Sequence, residues 1–521
     1  MIIQKKLLSG EFVILYCCER KSDYVTIMCP GLGFSKVGPY FLLANIARNL
    51  YKEKVDTILF DYFGQGDSEG DFYSMSYETV VQSTKNILEY AYSKGYRNII
   101  LVGFGIGNLV CNELCIDPNI KMLCLIDYNA DTFEKFDIPE HVEYIEGSIS
   151  NTKEGRLIRN FVGLTPCCNG DPISVRTFKY KPDILYNYKI CNKPVCLMDN
   201  QTLAEFGAFL NSLEYKKWND ERAFADAWDK INEYVVKWIL KEIKLEKVTD
   251  TRKNLEDNNT EFSYSYEEKE VYFEVEGMQG VLSYPVNYDN TKTYECIIYE
   301  PGLGGERVDH MRTGVLAARE FVENEYFFFR YDYAGCGVSE GDFYKYRWGD
   351  KYERLVNILE FIKNNFPVKS FGILSYSEGA KVAVWACRFC DDVKAVVMWS
   401  PVLINGFINY QGLKDGDAQN VIIPRFIKNK KRGIVLPTQA YYLGLEYFSD
   451  QKKNELYENL NEINKPIKIF YGLKDPLFQE DVYCVQSDSI SCEIVGEGHL
   501  FNYQNTLSVI KKSVNYFGLK K

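Results

Sequence analysis

Histidine is nearly absent. His141, His310 and His499 are the only three in 521 residues. That scarcity restricts any imidazole-based proton transfer to three positions and argues against histidine-rich metal centres. Long apolar runs are missing too: none approaches the ~18 to 20 residues of a membrane span. Met1 to Lys6 is followed by neither an apolar stretch nor a small-residue cleavage site, so the expectation is a cytoplasmic chain with no signal peptide and no membrane span. There is no basic surplus. Lys and Arg number 61 against 72 Asp and Glu, a net charge of −11, without the basic stripe that a nucleic-acid partner needs. The 16 cysteines lack ligand spacing. Cys17-Cys18 and Cys167-Cys168 are adjacent, while Cys29, Cys124, Cys296 and Cys387 lie inside apolar runs. Cys387-x-x-Cys390 has no second pair and no nearby histidine. Reduced core thiols are expected, with no metal and no cofactor.

What is present is a globular composition, 46% hydrophobic and 15% aromatic, in a chain long enough for two domains. The chain also repeats itself. Pro30-Gly31-Leu32-Gly33 returns as Pro301-Gly302-Leu303-Gly304. Asp61-Tyr62-Phe63-Gly64-Gln65-Gly66-Asp67-Ser68-Glu69-Gly70-Asp71-Phe72 returns as Asp332-Tyr333-Ala334-Gly335-Cys336-Gly337-Val338-Ser339-Glu340-Gly341-Asp342-Phe343, both at an offset of 271. Between the copies, Leu245 to Thr260 is polar with little apolar periodicity and reads as a linker, with the boundary near residue 255. Two domains are expected, at 1–250 and 262–521. In each, short apolar strands alternate with helical patterns, which predicts a mostly parallel, doubly wound α/β sheet. Each copy also carries a segment of about 60 residues that fits an insertion above the carboxyl edge of the strands.

The second copy holds the most informative stretch. The apolar run Phe371 to Leu374 predicts a buried strand, and Val382, Val384, Trp385 and Phe389 carry helical spacing. Ser375-Tyr376-Ser377-Glu378-Gly379 lies between them and looks like a strand-turn-helix corner presenting Ser377 at its apex. The usual pattern is Gly-x-Ser-x-Gly. Ser375 replaces the first glycine with another small residue. Taken singly, Ser377 also suits a helix N-cap and Asp475, before Pro476, an ordinary turn.

Together these motifs resemble the α/β-hydrolase superfamily over nearly all of both copies. The Pro-Gly-x-Gly loop and the Gly-x-Gly-x-Ser-Glu-Gly-Asp-Phe turn resemble its serine-aminopeptidase-like and esterase branch. Gly341-Asp342-Phe343, Trp348 and Trp399-Ser400-Pro401-Val402 are similar to exosortase-system-associated hydrolases. The resemblance implies a triad in the order Ser, acid, His: Ser377 as nucleophile, Asp475 after the strand Ile467 to Gly472 as the acid, and His499 as the base. Glu480 and Asp481 are alternative acids. His499 is the only histidine after Ser377. The implied oxyanion donors are the backbone amides of Leu303 and Glu378. His310, shortly after the Gly loop, is a possible substrate contact.

The first copy departs from this pattern. Its corner reads Gly103-Phe104-Gly105-Ile106-Gly107, with Gly105 at the nucleophile position. Leu203 stands where the acid should be, no histidine precedes the last helix, and His141 is out of order. A non-catalytic, hydrolase-like domain is expected there. The glycines at 64, 66 and 70 read as turn residues, since G-x-G-x-x-x-G is not a dinucleotide fingerprint. The expected activity is a serine hydrolase of carboxylesterase type acting on a small-molecule or carrier-bound acyl group. A thioesterase or acyltransferase would use the same residues, and a non-catalytic binding or assembly protein is the rival from another class. The insertion at about 403–463, with Phe407, Tyr410, Phe426, Tyr441, Tyr442 and Tyr447, is expected to cap the pocket. The two domains are expected to pack on one another.

Overall fold

The computed structural model describes residues 2–18, 22–72, 75–128, 191–199, 221–243, 270–309, 312–403, 427–438, 441–447, 460, 463–475, 477–478, 489–496, 498–501 and 503–519. They fall into two compact units, one on each side of the 244–269 stretch. The expected boundary near 255 therefore lies outside the described residues, as do His141, Leu203, His310, Phe407, Tyr410, Phe426, Glu480 and Asp481.

The first unit is a seven-stranded sheet made of β1 (Ile2–Lys6), β2 (Phe12–Tyr16), β3 (Tyr24–Cys29), β4 (Asp56–Asp61), β5 (Asn98–Phe104), β6 (Ile120–Tyr128) and β7 (Val195–Asp199). Its spatial order is β1-β2-β4-β3-β5-β6-β7. Only the pairings of β2 with β1 and β4 are antiparallel. The strands from β2 to β5 are near-continuous Val/Ile/Leu/Phe runs, as expected of a sheet covered on both faces. Helices α1 (Leu42–Lys52), α2 (Tyr77–Ser93), α3 (Ile106–Leu114) and α4 (Glu221–Glu242) supply the cover. Helix α2 starts where Ser76 accepts a hydrogen bond from the Thr79 amide at 3.2 Å.

The second unit repeats the plan. Strands β8 (Glu270–Val275), β9 (Met278–Ser283), β10 (Tyr294–Glu300), β11 (Phe327–Tyr331), β12 (Val368–Tyr376) and β13 (Val393–Trp399) are followed by an insertion. That insertion holds β14 (Ile427–Asn429), β15 (Gly433–Thr438) and β16 (Tyr441–Gly444). Strands β17 (Ile467–Tyr471) and β18 (Ile490–Ile494) then complete the large sheet. Its order is β18-β17-β13-β12-β10-β11-β9-β8, the first sheet's order strand for strand with β18 added at one edge. Helices α5 (Thr313–Glu323), α6 (Trp348–Asn365), α7 (Gly379–Phe389) and α8 (Tyr503–Gly518) flank it. On one face Ile297, Tyr299, Leu374, Tyr376, Val397 and Trp399 pack with Phe321 of α5 and Val509, Val514 and Phe517 of α8. Helices α6 and α7 pack together and on β12, where the alternate residues of the strands point. Among the described residues no helix is long and apolar enough to cross a membrane.

The sequence reading did not anticipate two elements. Strand β1 carries only a short mixed segment, Ile-Ile-Gln-Lys-Lys. The three-stranded antiparallel sheet β14–β16 lies in the insertion read only as aromatic and polar.

The glycine-rich turn after β4 and β11 is fixed by an aspartate in both units. Asp332 accepts from the Arg307 amide at 2.7 Å and the Val338 amide at 2.9 Å. Asp61 accepts from the Lys36 amide at 2.5 Å and the Asp67 amide at 2.8 Å. Ser339 and Ser68 then donate to the carbonyls of Asp332 and Asp61, at 2.6 and 2.7 Å. These aspartates tie the turn to the loop after β3 or β10, which in the second unit begins beside Ser377. The turn glycines thus serve an internal carboxylate. Asp332→Ala strands two buried amides, each worth about 1–3 kcal/mol when left unpaired. Urea denaturation should show a loss of about 2–6 kcal/mol; an unchanged midpoint would remove Asp332 from this role.

Candidate active site

Strand β12 runs directly into α7 through Ser377, one of the few non-glycine residues with positive φ (50°). Such a conformation costs a residue with a Cβ about 1–2 kcal/mol and persists only where surroundings over-determine it. Here they do. The Ser377 amide donates to the Trp399 carbonyl at 2.9 Å, and the Val402 amide donates to the Ser377 carbonyl at 3.0 Å. Close approach makes up the rest. A Cβ on Gly379 would lie 2.4 Å from the Glu300 carbonyl oxygen, so only glycine lets α7 start against the end of β10. A Cβ on Gly302 would lie 3.0 Å from the Ser377 Cβ, which places the loop after β10 against the serine.

Ser375 is accommodated for a legible reason. In the first unit its counterpart Gly103 has the Asn108 amide nitrogen and Oδ1 each 2.8 Å from where a Cβ would sit. In the second unit Ala380 replaces Asn108, which removes the side-chain oxygen from that space.

His499 lies between the other two residues. Its Nε2 is 2.9 Å from Ser377 Oγ and its Nδ1 is 2.8 Å from Asp475 Oδ2. The Asp475 side chain is fully buried, and its Oδ1 accepts from the Leu477 amide at 2.9 Å, leaving Oδ2 to the imidazole. The short loops after β17 and β18 carry the acid and the histidine; they are joined by the Leu473 amide, which donates to the Gly496 carbonyl at 3.1 Å. The sequence reading missed Tyr376. Its hydroxyl donates to the His499 carbonyl at 3.0 Å and its ring lies 5.9 Å from the imidazole. Phe104 at the equivalent corner position was the available signal.

The two expected oxyanion donors flank the serine. Leu303 sits in a turn closed by the Gly305 amide on the Gly302 carbonyl at 3.0 Å, and Glu378 follows Ser377. Among the described residues neither amide has a hydrogen-bond acceptor. The Glu378 carboxylate is buried and accepts from Tyr346 at 2.9 Å and from Tyr447 of the insertion. Of the other expected cap residues, Tyr442 is buried and stacks under Arg432 at 4.9 Å. Arg432 in turn donates to Asp342 at 3.1 and 3.2 Å, which ties the β14–β16 sheet to the turn after β11.

In the first unit Gly105 takes φ 56° at the same corner. Among the described residues a Cβ there would meet only the Gly31 Cα, at 3.6 Å. The corner is intact, and the described residues around it leave space for a Cβ that the sequence does not supply.

No protein-family model matches the chain, and no curated protein matches it. Among solved structures it is similar to Est1E from Butyrivibrio proteoclasticus with ferulic acid bound, at 18% identity over 48% of this chain and 98% of that one, with a TM-score of 0.38. It is also similar to the esterase Pf2001 from Pyrococcus furiosus, at 19% identity over 48% and 92%, TM-score 0.33. A third is mouse alpha/beta hydrolase domain-containing protein 10, at 13% identity over 48% and 99%, TM-score 0.36.

The two corners make opposite predictions. Gly379→Ala forces a Cβ onto a backbone carbonyl, so it should lower the melting temperature steeply or abolish soluble expression. Gly105→Ser should cost only its backbone strain, about 1–2 kcal/mol. Equal tolerance of the two would contradict the close approach at Gly379.

Proposed function

We propose that the second unit, residues 262–521, is a serine hydrolase of carboxylesterase type working through an acyl-enzyme on Ser377. The observation that carries this reading is the bridge made by His499, 2.9 Å from Ser377 Oγ and 2.8 Å from Asp475 Oδ2. With the proton of the neutral imidazole on Nδ1, donated to Asp475, Nε2 is left as the acceptor for the serine hydroxyl. Ser377 Oγ attacks the acyl carbonyl carbon as its proton passes to Nε2. The imidazolium, stabilised by the buried Asp475 carboxylate, returns that proton to the departing alcohol. Water then attacks the ester on Ser377 with His499 again as base, releasing the acid and restoring the serine. In each step the carbonyl oxygen takes up negative charge, and the amides of Leu303 and Glu378 are the donors for it.

The first unit, residues 1–250, is on this reading a non-catalytic hydrolase-like domain. Glycine relieves the strain of the corner and removes the nucleophile together.

A fluorophosphonate probe with intact-mass detection tests the proposal. Wild type should gain one adduct and Ser377→Ala none. Gly105→Ser should gain no second adduct, because no histidine or acid accompanies that position in sequence order. An adduct that persists in Ser377→Ala, or no adduct on folded wild type, would sink the assignment. His499→Ala should lower kcat for an activated ester by at least about 10³-fold.

A further inference from the structure

Six buried positions around the corner differ in kind between the two units. The second unit has Glu300, Tyr331, Tyr346, Lys351, Glu378 and Lys381, all buried. The equivalent residues of the first unit are Cys29, Phe60, Met75, Val80, Ile106 and Leu109, all members of one apolar core. Each of these six positions is polar in the second unit and apolar in the first.

In the second unit the six form two linked groups. Lys351 Nζ lies 3.2 Å from Glu300 Oε2 and donates to the Pro301 carbonyl at 3.0 Å. Tyr331 donates to Glu300 Oε1 at 2.6 Å. This group grips the peptide just before Gly302 and Leu303. In the other group the Glu378 carboxylate receives Tyr346, Tyr447 and, at 3.3 Å, Lys381 Nζ. The groups meet where Gly379 presses on the Glu300 and Pro301 carbonyls.

Two buried ion pairs are a poor way to stabilise a fold. Desolvation offsets much of the attraction, and well-packed apolar residues of similar volume are often equal or better. Burial pushes the Glu300 carboxyl up, against Lys351 and Tyr331, and pushes the Lys381 ammonium down, against Glu378. The first unit keeps buried polar groups of its own, Gln65 on the Gly31 carbonyl and Lys36 between Asp61 and Asp67, but it builds the corner with apolar residues at these six positions, so the corner does not need these six groups. They occur in the unit that carries Ser377, Asp475 and His499, and each group holds the residue, or the peptide next to the residue, that offers one of the two amides without an acceptor among the described residues.

We infer that this buried network is a positioning device for the oxyanion donors, with Lys351 and Glu300 fixing the turn of Leu303, and Tyr346, Tyr447 and Lys381 fixing Glu378. The inference rests on the acyl-transfer reading above. It also gives the insertion a part in the reaction, since Tyr447 comes from the segment after β16.

The test installs the first unit's residues in the second: Glu300→Cys, Tyr331→Phe and Lys351→Val together, and separately the single change Tyr447→Phe. Three quantities are measured: melting temperature, kcat and KM for p-nitrophenyl butyrate, and the inhibition constant of an aryl trifluoromethyl ketone. The ketone adds to a reactive serine as a tetrahedral oxyanion, so it reports on the amides in a way that packing alone does not. The triple variant should melt no lower than wild type, with kcat down about 10- to 100-fold, KM within about twofold, and ketone affinity falling in parallel. Tyr447→Phe, which removes one hydroxyl and leaves the fold intact, should show the same split with a smaller loss. Active wild type with unchanged kcat and ketone affinity in Tyr447→Phe would overturn the inference alone. So would losses that track melting temperature and KM instead of kcat. Wild type that neither turns over the ester nor binds the ketone would overturn the acyl-transfer reading, and the inference with it.

Discussion

One backbone corner sets the terms for the rest of the second unit. Ser377 must turn the chain from β12 into α7 within a single residue at φ 50°, and the helix must begin in contact with the end of β10. A glycine at 379 is needed for that contact, a glycine at 302 lets the next loop reach the serine, and the carbonyl and amide of Ser377 are held by the end of β13 and the segment after it. A strained residue held this firmly presents its side chain at a fixed point above the carboxyl edge of the sheet. That edge is where the loops after β10, β17 and β18 bring Leu303, Asp475 and His499. The order of strands is therefore inseparable from the chemistry proposed for them.

The first unit serves as an internal control on that constraint. It has the same strand order, the same aspartate-locked glycine turn and the same positive-φ corner. What it lacks is the serine, and at six positions around its corner the buried polar residues are replaced by apolar ones, while Gln65 holds its Gly loop and Lys36, Asp61 and Asp67 stay buried at the turn. On the proposed function, stability and catalysis ask different things of the same positions. An apolar filling satisfies packing. A network of buried carboxylates, ammonium groups and phenols adds direction, at a desolvation cost that packing alone would not justify.

Much of this was legible from local rules. The 271-residue offset carried the repeat, and the runs of Val, Ile and Phe carried the central strands. The corner was legible because its backbone demands small residues at fixed spacing, and a chain with three histidines left one candidate after Ser377. The edge strand β1 was not visible, because Ile-Ile-Gln-Lys-Lys has no distinctive period. The β14–β16 sheet was missed because strands of three to six residues leave too short a pattern. The buried network was invisible for another reason. Glu300, Lys351 and Lys381 lie far apart in the chain and, taken singly, charged residues belong on surfaces. Their meaning emerges only when the two copies are set side by side with burial known. Tyr376 against Phe104 belongs to the same class of signal.

The most direct measurement is a rapid-quench experiment with p-nitrophenyl butyrate, followed by peptide mapping of the quenched protein. The account predicts a burst of p-nitrophenol approaching one equivalent per chain when deacylation is slower than acylation, and a butyryl mass increment on the peptide that contains Ser377. Butyrylation mapped to any other residue during turnover, with the Ser377 peptide unmodified, would contradict it.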